Sequence, residues 1–207
     1  MAGRQAKLLA AGDARRVLAH VARGRTPERD RVMVLLSLRA GLRAGEIAAL
    51  TWPMILDARG RIGHVIELHD IAAKKGSGRS IPLHTELRAA LARLRAIELQ
   101  ERGTASGPVI KSMRPVSPRY GDPDASAAMR ASSIVNWFAA VYRTLGLTGC
   151  SSHSGRRTFV TMAARRVHAA GGSLRDVQQL AGHRSIEMTQ RYIEGDTLAK
   201  RRLIRLL

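Results

Sequence analysis

Apolar residues recur along most of this chain at intervals of three and four, the spacing that gathers side chains on one face of an α-helix. Val17, Leu18 and Val21 keep that spacing and predict a helix that Asp13 caps, that runs to about Ala22 and that Gly24 closes. Thr26-Pro27-Glu28 reads as a second helix start, with a capping hydroxyl, proline at the first helical position and an acid in the first turn. Its continuation over 32–38 is apolar nearly all round, so this helix is expected to be buried. Gly41 breaks it, and a short helix is expected over 44–50.

The texture changes over 52–83. A turn at Asp57-Ala58-Arg59-Gly60, a β-prone run at 64–68, a second turn at Lys75-Gly76-Ser77-Gly78 and the stretch Arg79-Ser80-Ile81-Pro82 predict an antiparallel sheet of two or three strands. Leu87, Leu91, Leu94 and Ile97 return to helical spacing and predict a long helix over 85–101. Residues 103–128, rich in Pro, Ser, Gly and Asp, are expected to form a long surface loop. Ser132 or Ser133 can cap a helix through Leu145; further helices fit 153–169, 173–181 and 185–192, and 198–206 make a basic amphipathic tail. The fold class expected is mainly α with a small antiparallel β-sheet insertion, as one domain over 1–207.

Charge narrows the function. Lys and Arg number 35 against 16 Asp and Glu, a formal net charge of +19. An enzyme for small metabolites has little use for such self-repulsion, whereas a polyanion ligand explains it, because each neutralised phosphate releases condensed counterions. Charge alone does not separate an enzyme acting on nucleic acid from a protein that merely binds it. The 45% hydrophobic content supports a packed core and argues against disorder. A single cysteine, Cys150, excludes an internal disulfide and any cysteine-rich zinc site. No stretch approaches the roughly 18 apolar residues of a membrane span. Residues 1–9 carry Arg4 and Lys7 but no apolar signal core, so a cytoplasmic protein with no membrane partner is expected.

Three polar segments carry chemistry. Gly41-Leu42-Arg43-Ala44-Gly45-Glu46 sets Arg43 just past a helix break and Glu46 one turn later, where the two can pair; alone, this is an ordinary surface salt bridge. His153-Ser154-Gly155-Arg156 puts a histidine and an arginine on one face at an expected helix start, again a weak signal alone in an arginine-rich chain. The third runs from Leu180-Ala181-Gly182-His183 through Ser185-Ile186 to Thr189-Gln190-Arg191-Tyr192, with the tyrosine nine residues after the histidine.

In order and spacing these segments resemble the signature of the tyrosine recombinases, also called phage integrases. Residues 41–52 look like the family's first box, a Gly-Leu-Arg-x-x-Glu followed by an apolar helix and Trp52. The His-x-x-Arg box looks like His153 to Arg156, and the C-terminal signature looks like 180–192. The family's β-hairpin lysine precedes an Arg-x-Ile/Val-Pro-Leu strand; counting back from Arg79 and Pro82 lands on Lys74, with Lys75 as the other choice. The resemblance implies the fold of the DNA breaking-rejoining catalytic domain and a site-specific recombinase of the integrase or invertase type.

Its chemistry explains the residue types. Making phenolate from a free tyrosine at pH 7 costs roughly 4 kcal/mol, and the departing 5′ oxygen of a phosphodiester needs a proton. The resemblance implies that Tyr192 attacks and forms a covalent 3′-phosphotyrosine. Arg43 and Arg156 would clamp the non-bridging oxygens. His153 would assist proton transfer at the tyrosine, His183 would hydrogen-bond the phosphate, and Lys74 would protonate the leaving 5′-hydroxyl. No metal, nucleotide or other cofactor is implied. The implied partners are double-stranded DNA, further copies of the chain as a tetramer on DNA, and a helper or accessory DNA-binding protein; the 196–207 tail could dock in trans.

The chain departs from the family in two places. Gly155 and Arg157 stand where many relatives have Leu and His around the second arginine. Members also carry a separate helical core-binding domain before the first box, whereas the residues before Arg43 fit the opening helices of the catalytic domain; two alternatives stay open, a short form similar to the fimbrial-switch invertases and a longer natural protein. His20, His64, His69, His84 and His168 match no motif position and are expected at the surface or in packing roles. Two other readings stay open: DNA relaxation in the manner of a type IB topoisomerase, and a DNA-binding protein that kept the fold without catalysis. The Gly-His-x₈-Tyr ending and the Gly-Leu-Arg box favour the recombinase.

Overall fold

A computed structural model describes residues 6–69, 78–113, 128–192 and 204–205. Its helices are α1 (Ala11–Val21), α2 (Pro27–Arg39), α3 (Ala44–Ala49), α4 (Thr85–Arg102), α5 (Ala131–Thr144), α6 (Ser154–Arg166), α7 (Leu174–Ala181) and α8 (Ile186–Gln190). A 3₁₀ turn at Trp52–Met54 and two strands, β1 (Val65–Leu68) and β2 (Arg79–Pro82), lie between α3 and α4. The mainly helical class with a small antiparallel sheet is the one expected. Among the described residues the sheet has two strands, with Val65 opposite Pro82 and Leu68 opposite Arg79.

Helix α2 occupies the centre. Every residue from Val32 to Leu38 is buried, which its all-round apolar sequence requires, because α4 and α6 cover it and α1 and α3 close the remaining sides. The main core joins α1 to α5 with the sheet, and a smaller cluster of Val160, Ala164, Val167, Val177 and Ala181 ties α6 to α7 and receives Tyr192.

Three local expectations are corrected. Helix α1 starts at Ala11, so Asp13 lies inside its first turn and pairs with Arg16 at 3.2 Å rather than capping it. The Thr26 hydroxyl donates to Asp30 at 3.1 Å instead of capping α2. The expected surface loop after α4 turns inward: Val109 and Ile110 are fully buried, and bridges join Pro108 to Thr51 and Lys111 to Ala128. Buried Glu98 draws this segment in, accepting from the Trp52 indole at 3.0 Å and from the Lys111 ammonium at 2.8 Å.

Ahead of α1, residues 6–9 are laced to the region around α6. The Lys7 amide donates to the Gly149 carbonyl, the Leu9 amide to Thr158 Oγ1, and Arg157 to the Ala6 carbonyl. No helix among the described residues is long and apolar enough to cross a membrane. The expected 196–207 tail falls outside the described residues apart from Ile204 and Arg205.

Candidate active site

The turn between α2 and α3 is built around Gly41. Its φ of +64° lies in the left-handed region, and a Cβ there would overlap the Phe159 ring of α6, so only glycine fits. The freed Gly41 carbonyl accepts from Arg156 Nη1 at 2.6 Å. Arg43 N-caps α3, and Glu46 reaches back so that its carboxylate takes both the Arg43 amide and Arg43 Nη1, each at 2.8 Å. The expected Arg43–Glu46 pair therefore forms, but Glu46 is buried rather than part of a surface salt bridge.

Glu46 is also the hub for two further arginines. Arg79, the first residue of β2, forks onto both of its oxygens at 3.0 and 3.1 Å, and Arg156 Nη1 lies 3.9 Å away. Burial works against ionisation of Glu46, but the hydrogen bond and charge of Arg79, with help from Arg43, hold its carboxyl below the usual range. Three guanidinium groups thus share one carboxylate, and the cluster stays net positive. An anion would complete that balance.

The C-terminus of α7 supplies the remaining acceptors. Its last two carbonyls, Leu180 and Ala181, accept from Arg79 Nε at 2.9 Å and Arg156 Nη2 at 2.6 Å, where the helix dipole favours cations. Gly182 then turns the chain at φ +60°, and a Cβ there would press on the Arg79 guanidinium. Burial and the neighbouring Arg43 lower the pKa of Arg156 to about 10, so it remains a cation at neutral pH.

His183 follows this turn and is buried, with Nδ1 3.0 Å from Thr189 Oγ1 of α8. Its ring stacks on Tyr192 at a centroid distance of 5.4 Å and an interplanar angle of 19°. Burial, reinforced by the positive charges of Arg156, Arg43 and Arg79, lowers the His183 pKa to about 4, so the ring is neutral at physiological pH. His153, exposed at the head of α6, is lowered in the same direction by partial desolvation and by Arg156 and Arg43. Helix α8 ends at Gln190 rather than reaching Tyr192, and a terminal turn in which the Tyr192 amide donates to the Thr189 carbonyl sets the half-buried tyrosine.

Two concavities are lined by residues of this constellation. A cleft of about 410 Å³ is lined by His153, Arg156, Arg157, Met188, Arg191 and Tyr192 among others. A second, of about 530 Å³, has Arg79, Arg175, Arg184 and His183 in its wall. Both are rich in positive charge; Tyr192 lines the first, and its stacking partner His183 lines the second. Arg43, His153, Arg156, His183 and Tyr192, expected from sequence as the site, are thus brought together. Lys74, and Lys75 beside it, lie outside the described residues.

Two residues of the constellation are not singled out by the sequence. Arg79 enters there only as a landmark for the lysine; the signal for more is a charged residue opening a strand that packs on a helix. Thr189 enters only as part of the Thr-x-x-Tyr spacing. Of the unmatched histidines, His84 has a local structural role, since its Nδ1 accepts from the Glu86 amide and caps α4.

Comparison with known proteins bears on the family and the fold. The Phage integrase family model matches residues 7–198. No curated protein sequence gives a match. Among solved structures, XerA recombinase superposes with a TM-score of 0.66 at 21% identity, covering 96% of this chain and 64% of that one. The Tn1549 transposon integrase, solved in complex with a circular intermediate DNA, gives 0.66 at 18% identity, covering 100% and 67%. A lambda integrase dimer bound to a COC′ core site gives 0.64 at 18% identity, covering 90% and 47%. At such identities the likeness shows a shared fold, and the chain spans about two thirds or less of these structures' lengths.

Proposed function

This chain belongs to the phage integrase family, and from that premise we propose that it is a site-specific DNA recombinase that cleaves and rejoins duplex DNA through a 3′-phosphotyrosine on Tyr192. The observation that carries this reading is the cluster of Arg43, Arg79 and Arg156 on one buried carboxylate, net positive and set beside the stacked His183 and Tyr192. Arg43 and Arg156 would hold the non-bridging oxygens of a phosphodiester. Their own fixed bonds to Glu46, Gly41 and Ala181 keep them preorganised for the charge that grows in the transition state.

In the first step the Tyr192 oxygen attacks phosphorus, the bond from phosphorus to the 5′ oxygen breaks, and the DNA 3′ end becomes esterified to the tyrosine. His153, kept neutral by its surroundings, accepts the tyrosine proton. Lys74 donates a proton to the leaving 5′ oxygen. A 5′-hydroxyl from another strand then reverses the exchange: it attacks the phosphotyrosine, its proton goes to the lysine, and the tyrosine leaves with a proton from His153. The partners proposed are double-stranded DNA and further copies of the chain, as a tetramer on the DNA, with an accessory DNA-binding protein. Residues 1–207 are proposed to act as a single catalytic domain.

The test is a nicked suicide duplex carrying the genomic sequences that flank the gene. The wild-type chain is expected to give a denaturation-resistant protein–DNA adduct and Tyr192→Phe none. An adduct that survives in Tyr192→Phe, or binding without any adduct, sinks the reading.

A further inference from the structure

We propose that Thr189 is a positioning residue that holds the neutral His183 ring in its Nε2–H tautomer, leaving that proton free for a phosphate oxygen. The inference rests on the recombinase reading above for what the proton meets, but the tautomer itself follows from counting hydrogen-bond partners at Thr189.

Thr189 is fully buried, and its Oγ1 lies 3.0 Å from His183 Nδ1. Among the described residues that nitrogen is the hydroxyl's one hydrogen-bond partner. The backbone route is not used: Thr158 donates to the carbonyl four residues earlier at 2.9 Å, as helical threonines often do, but Thr189 makes no such bond. A neutral imidazole carries its proton on one nitrogen. If that nitrogen were Nδ1, it would donate to Oγ1, and the threonine proton would be buried with nothing to accept it, at a cost of about 1–3 kcal/mol. If the proton is on Nε2, the threonine donates to the Nδ1 lone pair and both groups are satisfied. A preference of that size sets the tautomer ratio at roughly fivefold or more.

The surroundings keep the ring in the state where this choice matters. Three guanidinium groups and burial hold His183 neutral, so it has a single proton to offer and its position decides whether the ring donates at all. His183 also lines the basic concavity of about 530 Å³, whose wall includes Arg79, Arg175 and Arg184. Its carbonyl takes Gln178 Nε2 at 3.0 Å, so the backbone beneath the ring is pinned as well. Thr189 sits three residues before Tyr192, so the turn that presents the nucleophile also presents the hydroxyl.

The experiment is a long-range proton–nitrogen correlation spectrum of the full-length protein with nitrogen-15-labelled histidine, at neutral pH, with the His183 ring assigned from the signals lost in His183→Asn. Wild type and Thr189→Ser are expected to show Nε2–H for His183, and Thr189→Val to move to Nδ1–H or a mixture. On the suicide duplex, Thr189→Val is expected to bind DNA as wild type does but form adduct at least tenfold more slowly, with Thr189→Ser restoring the rate. Nδ1–H in the wild type, or an unchanged tautomer in Thr189→Val, overturns the proposal even if that variant folds poorly, because the first outcome needs no variant. The tautomer is read without DNA, so its failure and a failure of the recombinase reading are told apart by the Tyr192→Phe control.

Discussion

His183 shows how much one side chain owes to its setting. The folded ring titrates near pH 4, whereas the unfolded chain titrates near 6.5, so between these values the unfolded state binds more protons. The stability due to this residue is therefore complete above about pH 6.5 and is lost as pH falls towards 4. Thermal unfolding across that range is expected to show a steeper loss in wild type than in His183→Asn, and parallel curves would contradict the buried neutral ring. His153 contributes in the same direction, so the slope should flatten without vanishing. Glu46 acts lower down: its depressed pKa adds stability that is present above pH 4.5 and disappears as its carboxylate is protonated.

Between elements, the decisive contact is the approach of α2 to α6. A Cβ added at Gly155 would overlap Ser37 Oγ, and that hydroxyl is itself buried without a partner among the described residues. Glycine at 155, where many relatives have leucine, thus matches a crowded α2 backbone and lets α6 carry Arg156 down to the Gly41 carbonyl. Gly155→Ala is expected to destabilise by about 1–3 kcal/mol through overpacking. Ser37→Ala alone should be close to neutral, since it removes an unsatisfied polar atom, and should recover part of the loss in the double variant. Strict additivity of the two changes in urea unfolding would mean that the helices are not in register as described. Arg157, the other departure, is also structural: it holds the Ala6 carbonyl at 2.6 Å.

At the scale of the whole molecule, the positive charge and the order of the motifs were legible because chemistry demands particular residue types at local spacings. The helices were legible because burial imposes its period on the sequence. What was hidden depended on partners distant along the chain: Arg79 on Glu46, 33 residues earlier, or the Pro-Val-Ile run that Glu98 draws inward from a polar segment. With a net charge of +19, DNA affinity is expected to fall steeply with salt, with a log–log slope of about −5 or steeper for six or more phosphate contacts. A slope near zero would mean that the charge serves something else. The most direct measurement for the central claim is the identity of the residue bonded to DNA. The trapped adduct is digested with nuclease and trypsin and its peptides are sequenced by mass spectrometry. The nucleotide is predicted on the Tyr192–Lys200 peptide, at the tyrosine. A nucleotide attached to any other residue, with the Tyr192 peptide unmodified, would contradict the account.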